Sequence, residues 1–439
     1  MTDPYPLEAG TAWSDVTPPT FTFMTGMGRG RPRPVGIHDR LRARAVVLQA
    51  GGRKVALVTV DINYIDYDSI DELRRLVEAY TDIKGCNVHV TSSHSHSSPG
   101  YYRLLANDPH DISWGDLVEE ERSHVRAACR LIAGAVYEAN LHLEDAEIAF
   151  GEGTSRYNIV RWHESDGGNM AFIPFHRELA PNVEPLSDMF ILHVRRRADA
   201  KSLAFYYTNH AHAICVCLQS NMITADYPGC VAELIERKYG GLCMFAPGGI
   251  GDQHPRDFDR GLEAARRMGR QLAGQIVRAQ ARMTYTSQVR LQAMESDVDL
   301  PDRSLKGEPL LPRTRTSVLA VNGTAMSFWP GEAFGMIVRR LRAQSPFERT
   351  VVISNTDDFK YYFALEEEYG RYRWEGDIAL PNVYPPRGGD IVYDQALSLL
   401  RRADLERRQL GEYRAVAPEE RSAVPDGYKG SGDRPRSRT

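Results

Sequence analysis

Three apolar segments of this 439-residue chain each run into a turn of small residues that carries histidine. Val88-His89-Val90 leads into Thr91-Ser-Ser-His94-Ser-His96-Ser-Ser-Pro-Gly100. Leu203-Ala-Phe-Tyr-Tyr-Thr208 leads into Asn209-His210-Ala211-His212. Leu242-Cys-Met-Phe-Ala246 leads into Pro247-Gly-Gly-Ile-Gly-Asp252-Gln-His254-Pro255. A strand ending in Gly, Ser or Pro stops where backbone can be approached closely, and open α/β sheets place their ligands at such ends. Histidine is the commonest zinc ligand and titrates near neutral pH. Taken alone, His94 and His96 are equally well read as two surface histidines in a Ser-rich turn.

The surrounding periodicity predicts an α/β fold with a mixed sheet. Arg42–Gln49 and Lys54–Asp61 read as a hairpin around Gly51-Gly52. Asp68–Tyr80 has helical spacing, with Asp68 or Ser69 as the cap. A β–α–β unit therefore delivers His94 and His96. Helices are expected near 116–140, 230–238, 260–281 and 394–402, with strands near 146–150, 189–194, 203–208 and 242–246. A strand-rich part begins at Thr286, with strands at 289–299, 317–321, 325–329 and 350–355. Residues 1–35 read as an extended arm with edge strands. Pro330-Gly331-Glu332 reads as the opening of a helix through Leu341, where Glu332 is well placed as an N-terminal carboxylate favoured by the dipole. Tyr361 and Tyr362 alone read as core aromatics. We expect one domain over 1–415 and a disordered Ser/Gly/Pro/Arg-rich tail over 416–439.

Composition excludes several classes. Hydrophobic residues make up 42% and charged residues 26%, with net charge -4, so the chain can bury a large core and is no general nucleic-acid binder. No run of about 18 apolar residues suggests a membrane span. The polar, Pro-broken N-terminus does not read as a secretion signal. The six cysteines show no disulfide or zinc-finger spacing, and free buried thiols in a reducing cytoplasm are expected. Gly248-Gly-Ile-Gly-Asp lacks the Lys-Ser/Thr of a P-loop and the spacing of a dinucleotide fingerprint. There is no G-x-S-x-G elbow.

Six segments, in order, resemble the catalytic domain of the neutral/alkaline (non-lysosomal) ceramidase family. They are Trp13-Ser-Asp-Val-Thr-Pro-Pro19 with Val35-Gly-Ile-His-Asp39 and Arg42-Ala-Arg-Ala45; Ser93-His94-Ser-His96-Ser-Ser-Pro-Gly100; His212 before Ala225-Asp-Tyr-Pro-Gly229; Gly251-Asp-Gln-His-Pro255; Pro330-Gly-Glu332; and Tyr362-Phe-Ala-Leu-Glu-Glu-Glu-Tyr369. The resemblance implies a neutral-ceramidase-like catalytic domain with a Zn2+ site at strand ends. By motif, the zinc ligands are His94, His212, Glu332 and Tyr362. His96 becomes a residue that supports the ligands from behind or contacts the oxyanion, aided by an arginine that aligns loosely with Arg161 and for which Arg156 competes.

Departures from the family are equally specific. His254 stands where the ceramidases carry serine, so a serine nucleophile is excluded there. Trp374 replaces a tyrosine, Ala213 follows the second-segment histidine in place of proline, and the family's immunoglobulin-like C-terminal domain is not expected in this chain. The expectation is a cytoplasmic zinc-dependent amide (C–N) hydrolase acting on an N-acyl or cyclic amide small molecule, related to but distinct from true ceramidases. His254 or Tyr369 protonates the leaving amine. A zinc-dependent ester or lactone hydrolase, an amide-forming enzyme, and a non-catalytic zinc-containing binding protein are the alternatives. An iron redox site is a more distant one. The oligomeric state is open, with a homodimer among the options.

Overall fold

Side chains along Arg42–Ala50 alternate between two apolar environments, as a strand covered on both faces requires. Val46 and Leu48 enter one core, while Ala45 and Val47 enter another. The Gly51-Gly52 turn, with both φ values positive (58° and 73°), returns the chain into Arg53–Val60. The computed structural model describes residues 4–19, 24–26, 33–100, 119–165, 168, 170–172, 180–301, 313–373 and 385–409. The expected tail 416–439 and Trp374 lie outside the described residues.

The hairpin sits in an eight-stranded sheet whose order is Leu242–Pro247, Ser202–Asn209, Asp188–Arg196, Glu144–Thr154, Glu8–Asp15, Arg42–Ala50, Arg53–Val60, Val88–Ser92. The interior pairings are antiparallel. The two outermost pairings are parallel, Leu242–Pro247 with Ser202–Asn209 at one edge and Arg53–Val60 with Val88–Ser92 at the other. A second, four-stranded sheet runs Leu291–Asp299, Arg313–Val321, Thr324–Phe328, Arg349–Ile353. Leu319, Met326, Phe328, Val351 and Ile353 from this sheet pack on Val46, Leu57, Leu192 and Met244 of the first.

Helices cover the outer faces. Tyr67–Tyr80 and Glu119–Leu141 pack Ile70, Leu73, Ile132 and Val136 on the Arg42–Val60 half. Asp226–Tyr239 and Leu262–Gln280 pack Val231, Ile235, Leu272 and Ile276 on the other half. Gly335–Gln344 and Gly388–Gln409 cover the second sheet through Ile337, Leu341, Ala396 and Leu400. The result is an α/β architecture of four layers, helix–sheet–sheet–helix. Among the described residues no helix is long and apolar enough to cross a membrane.

Four expectations are corrected. The N-terminal arm holds no mere edge strand: Glu8–Asp15 lies inside the large sheet. Its small residues hid it, and they are needed there. A Cβ on Gly10 would sit 2.1 Å from the Ala139 carbonyl oxygen of the crossing helix. The first helix is capped by Asp66, whose carboxylate accepts from the Ser69 amide at 2.9 Å, and not by Asp68 or Ser69. Glu332 opens no helix. It lies in a two-residue strand parallel to Tyr362–Phe363, and the helix begins at Gly335. All six cysteines are free, but Cys86 is exposed and Cys230 only half-buried.

Candidate metal centre

Each parallel edge of the large sheet supplies one histidine and the carbonyl that orients it. At one edge, Val88–Ser92 runs into His94, whose Nδ1 lies 3.0 Å from the carbonyl oxygen of Asn63, just beyond the neighbouring strand Arg53–Val60. At the other, Ser202–Asn209 leads to His212, whose Nδ1 lies 2.8 Å from the carbonyl oxygen of Gln253, beyond Leu242–Pro247. A carbonyl only accepts, so both Nδ1 atoms carry a proton, and in the neutral form of either ring Nε2 presents a lone pair. His94 holds a left-handed φ of 60°, a conformation that costs of order 1–3 kcal/mol and clusters at functional sites.

Both lone pairs face one carboxylate. Glu332 Oε1 is 3.3 Å from His94 Nε2, and Oε2 is 2.8 Å from His212 Nε2. All three side chains are buried. Burial pushes His212 down to about 4, against the pull of Glu332, so at neutral pH the ring is neutral. His212 Nε2 and Glu332 Oε2 have no hydrogen-bond partner. Acceptors converging in a dry site fit a cation, and ligating histidines ordinarily donate their other nitrogen to a carbonyl or carboxylate.

His96 adds a third imidazole. Its ring centroid is 4.9 Å from that of His94 and 5.6 Å from that of His212. One ligand nitrogen from each of the three rings falls within 4.8 Å of the others. Gly26, with φ 87°, closes against it, since a Cβ there would stand 2.6 Å from His96 Nδ1.

Arg161 borders the carboxylate. Its Nη2 is 3.8 Å from Glu332 Oε2 and donates to the Gly251 carbonyl at 2.5 Å, while its guanidinium carbon lies 5.0 Å from the Tyr362 ring centroid. Tyr362 follows Glu332 across the short parallel pairing, and burial raises its hydroxyl pKa. Tyr369 shares an apolar cluster with Tyr362, Trp162 and Phe334. Arg156, the competing arginine, is exposed and lines a different, polar groove with Gly153 and Gln275.

His254 sits in Gln253–Pro255, antiparallel to Asn158–Val160, with its ring 4.9 Å from that of His212. Burial first, then the charge of Arg161, pushes its pKa well below the usual value, so it is neutral. His210 turns away: its Nδ1 accepts from the Gly249 amide at 2.8 Å and its Nε2 faces Asp188. Sequence reasoning missed the orienting carbonyls of Asn63 and Gln253 and the closure by Gly26. Backbone acceptors leave no mark in residue type, and only the glycine was a visible signal.

A family model described as neutral/alkaline non-lysosomal ceramidase, N-terminal, matches residues 7–248. That stretch contains His94, His96, Arg161 and His212, while His254, Glu332, Tyr362 and Tyr369 lie beyond it. The neutral ceramidase of Mycobacterium tuberculosis (strain ATCC 25618 / H37Rv) is 25% identical over 258 residues, which is 53% of this chain but 37% of that protein. The chain thus spans little more than a third of that relative's length. Among solved structures, neutral ceramidase from Pseudomonas aeruginosa matches with a TM-score of 0.73 at 17% identity, over 94% of this chain and 76% of that one. A structure described as ceramidase complexed with C2 matches with a TM-score of 0.71 at 16% identity, over 94% and 77%. The likeness to solved structures establishes the fold, and the family match over more than half of the sequence establishes descent: this chain belongs to the neutral/alkaline non-lysosomal ceramidase family.

Proposed function

We propose that the chain is a zinc-dependent amide (C–N) hydrolase acting on an N-acyl or cyclic amide small molecule. The observation that carries this reading is the convergence of two lone-pair Nε2 atoms, of His94 and His212, on the Glu332 carboxylate. His94, His212, Glu332 and Tyr362 are the ligands we assign. When bound there, zinc supplies Lewis-acid activation of water and of a carbonyl oxygen.

The chain's own groups do the rest. Arg161 and His96 meet negative charge developing on the carbonyl oxygen, Arg161 through its planar guanidinium. His254 is a poor proton source because its ring is neutral and its Nε2 faces Arg161 at 3.0 Å. We therefore assign protonation of the leaving amine to Tyr369. The histidine in place of the family's serine also fills the turn with an imidazole stacked on Phe258 at 4.8 Å, which favours a substrate other than ceramide itself. Placement in the cytoplasm rests on the six free cysteines. A disulfide found by mass spectrometry of the unreduced native protein would argue against it.

The test is elemental analysis of purified protein, wild type beside Glu332→Ala, followed by a panel of N-acyl and cyclic amides. About one zinc per chain in the wild type, lost in the variant, together with amide turnover, supports the reading. No zinc after reconstitution overturns it. Zinc without turnover, alongside tight amide binding, favours a non-catalytic zinc protein.

A further inference from the structure

Two of the assigned metal ligands follow strands of different sheets, His94 after Val88–Ser92 and Glu332 after Thr324–Phe328, and a single short segment ties them together. Ser354–Asp358 leaves the edge strand Arg349–Ile353 and passes between the loop that carries His94 and the loop that carries Glu332. On the first side, the Asp357 amide donates to the Val90 carbonyl at 2.9 Å, and Asp357 Oδ1 accepts from the Val90 amide at 2.8 Å. The Ser92 amide donates to the Asn355 carbonyl at 3.0 Å, and the hydroxyls of Thr91 and Thr356 meet at 2.8 Å. On the second side, the Asn355 amide donates to Gly331 at 3.0 Å, the Thr356 amide to Trp329 at 2.9 Å, and the Ala333 amide to Ser354 Oγ at 3.1 Å. The segment's own path is strained, since Asn355 and Asp357 both hold left-handed φ values of 52° and 63°.

Asp357 is the hub. Its Oδ2 accepts from Arg74 Nη2 at 2.9 Å, and Arg74 also donates to the Val88 carbonyl through Nε and Nη2, at 3.1 and 2.8 Å. Arg74 reaches Glu295 on the second sheet at 2.6 Å, and His89 Nδ1 stands 3.5 Å from Asp357 Oδ2. Arg74, Asp357 and His89 are buried. The carboxylate thus grips the amide of Val90 and a guanidinium that itself grips Val88. No atom of Asp357 needs to touch a metal for its position to matter.

We propose that Asp357, held by Arg74, is a positioning residue that fixes the placement of His94 relative to Glu332 and thereby sets the affinity of the metal centre. The inference rests on the zinc reading of that centre. Its mechanical part, the anchoring of Val88–Ser92, stands without it.

The experiment measures zinc affinity by competition with a chelator, and melting temperature, for the full-length wild type, Asp357→Asn, Arg74→Met and Glu236→Gln. The last removes a charge that pairs with Arg42 and Arg44, and serves as a stability control. The expected result is a zinc affinity about 10- to 100-fold weaker in Asp357→Asn and Arg74→Met, as for outer contacts that orient ligands, and unchanged in Glu236→Gln despite a lowered melting temperature. Arg74→Met carries the test if Asp357→Asn does not fold. Wild-type affinity in either folded variant overturns the proposal, and so does equal weakening in Glu236→Gln. Should the wild type take up no zinc, the zinc reading fails separately. Amide hydrogen exchange in the metal-free protein then decides the anchoring: faster exchange at Val90 and Ser92 in the variants upholds it, and unchanged protection overturns it.

Discussion

Arg161 Nη1 lies 3.0 Å from His254 Nε2. A guanidinium is always a donor, so His254 accepts on Nε2 and carries its proton on Nδ1. The same arginine donates to Gly251 and lies over the rings of Trp162 and Tyr362. His254 is therefore held by the arginine that borders Glu332.

Arg161→Lys keeps the charge but loses the planar fork, so the contacts to His254 and Gly251 cannot both be kept. We expect zinc content to be retained and amide turnover to fall about 100-fold or more, the usual scale for losing one oxyanion donor. Steady-state kinetics on whichever amide the screen identifies, with zinc analysis alongside, checks this. Undiminished kcat/KM would remove Arg161 from the chemistry.

Gly251→Ala tests how close the two halves of the site must come. A Cβ there would stand 2.4 Å from Phe334 Cδ1 and 2.6 Å from the Glu332 carbonyl oxygen. Neither the ring, buried in its cluster, nor the backbone can move freely. Overpacking of this kind costs typically ~1–3 kcal/mol. Urea denaturation should show that loss, and zinc affinity should fall with it because the displaced atom belongs to Glu332. A variant as stable as wild type would mean that the Glu332 strand has room to shift.

His193 gives the fold an acid-sensitive element outside the candidate metal site. Burial, then the charge of Arg195, pushes its pKa down to about 3. The ring is neutral in the folded state and stacks on Phe205 at 3.8 Å. In the unfolded chain a histidine takes its proton near pH 6.5. Between about pH 6.5 and 3 the unfolded state binds more protons, so stability rises with pH and falls on acidification. One such group contributes a slope of at most about 1.4 kcal/mol per pH unit. Replacing it, as in His193→Gln, should reduce the slope of unfolding free energy against pH between 6 and 4.5. An identical slope would assign the acid sensitivity to other groups.

What the sequence determined by itself was local. Apolar runs ending in small residues placed His94 and His212 at strand ends, because strand propensity and turn chemistry act over a few residues. The β–α–β unit and the Gly51-Gly52 hairpin were legible for the same reason. The tertiary structure decided everything that depends on distant segments meeting. Glu332 reads as a helix-opening carboxylate until Tyr362 pairs with its strand, 30 residues on. Glu8–Asp15 reads as an arm until the helix that crosses Gly10 shows why its residues are small. His94 and His212 lie 118 residues apart, and the lone pairs that face Glu332 are set by the carbonyls of Asn63 and Gln253. Every residue has a carbonyl, so a site oriented by backbone acceptors has no signature in residue type. Only the closure of two sheet edges over one carboxylate makes it visible.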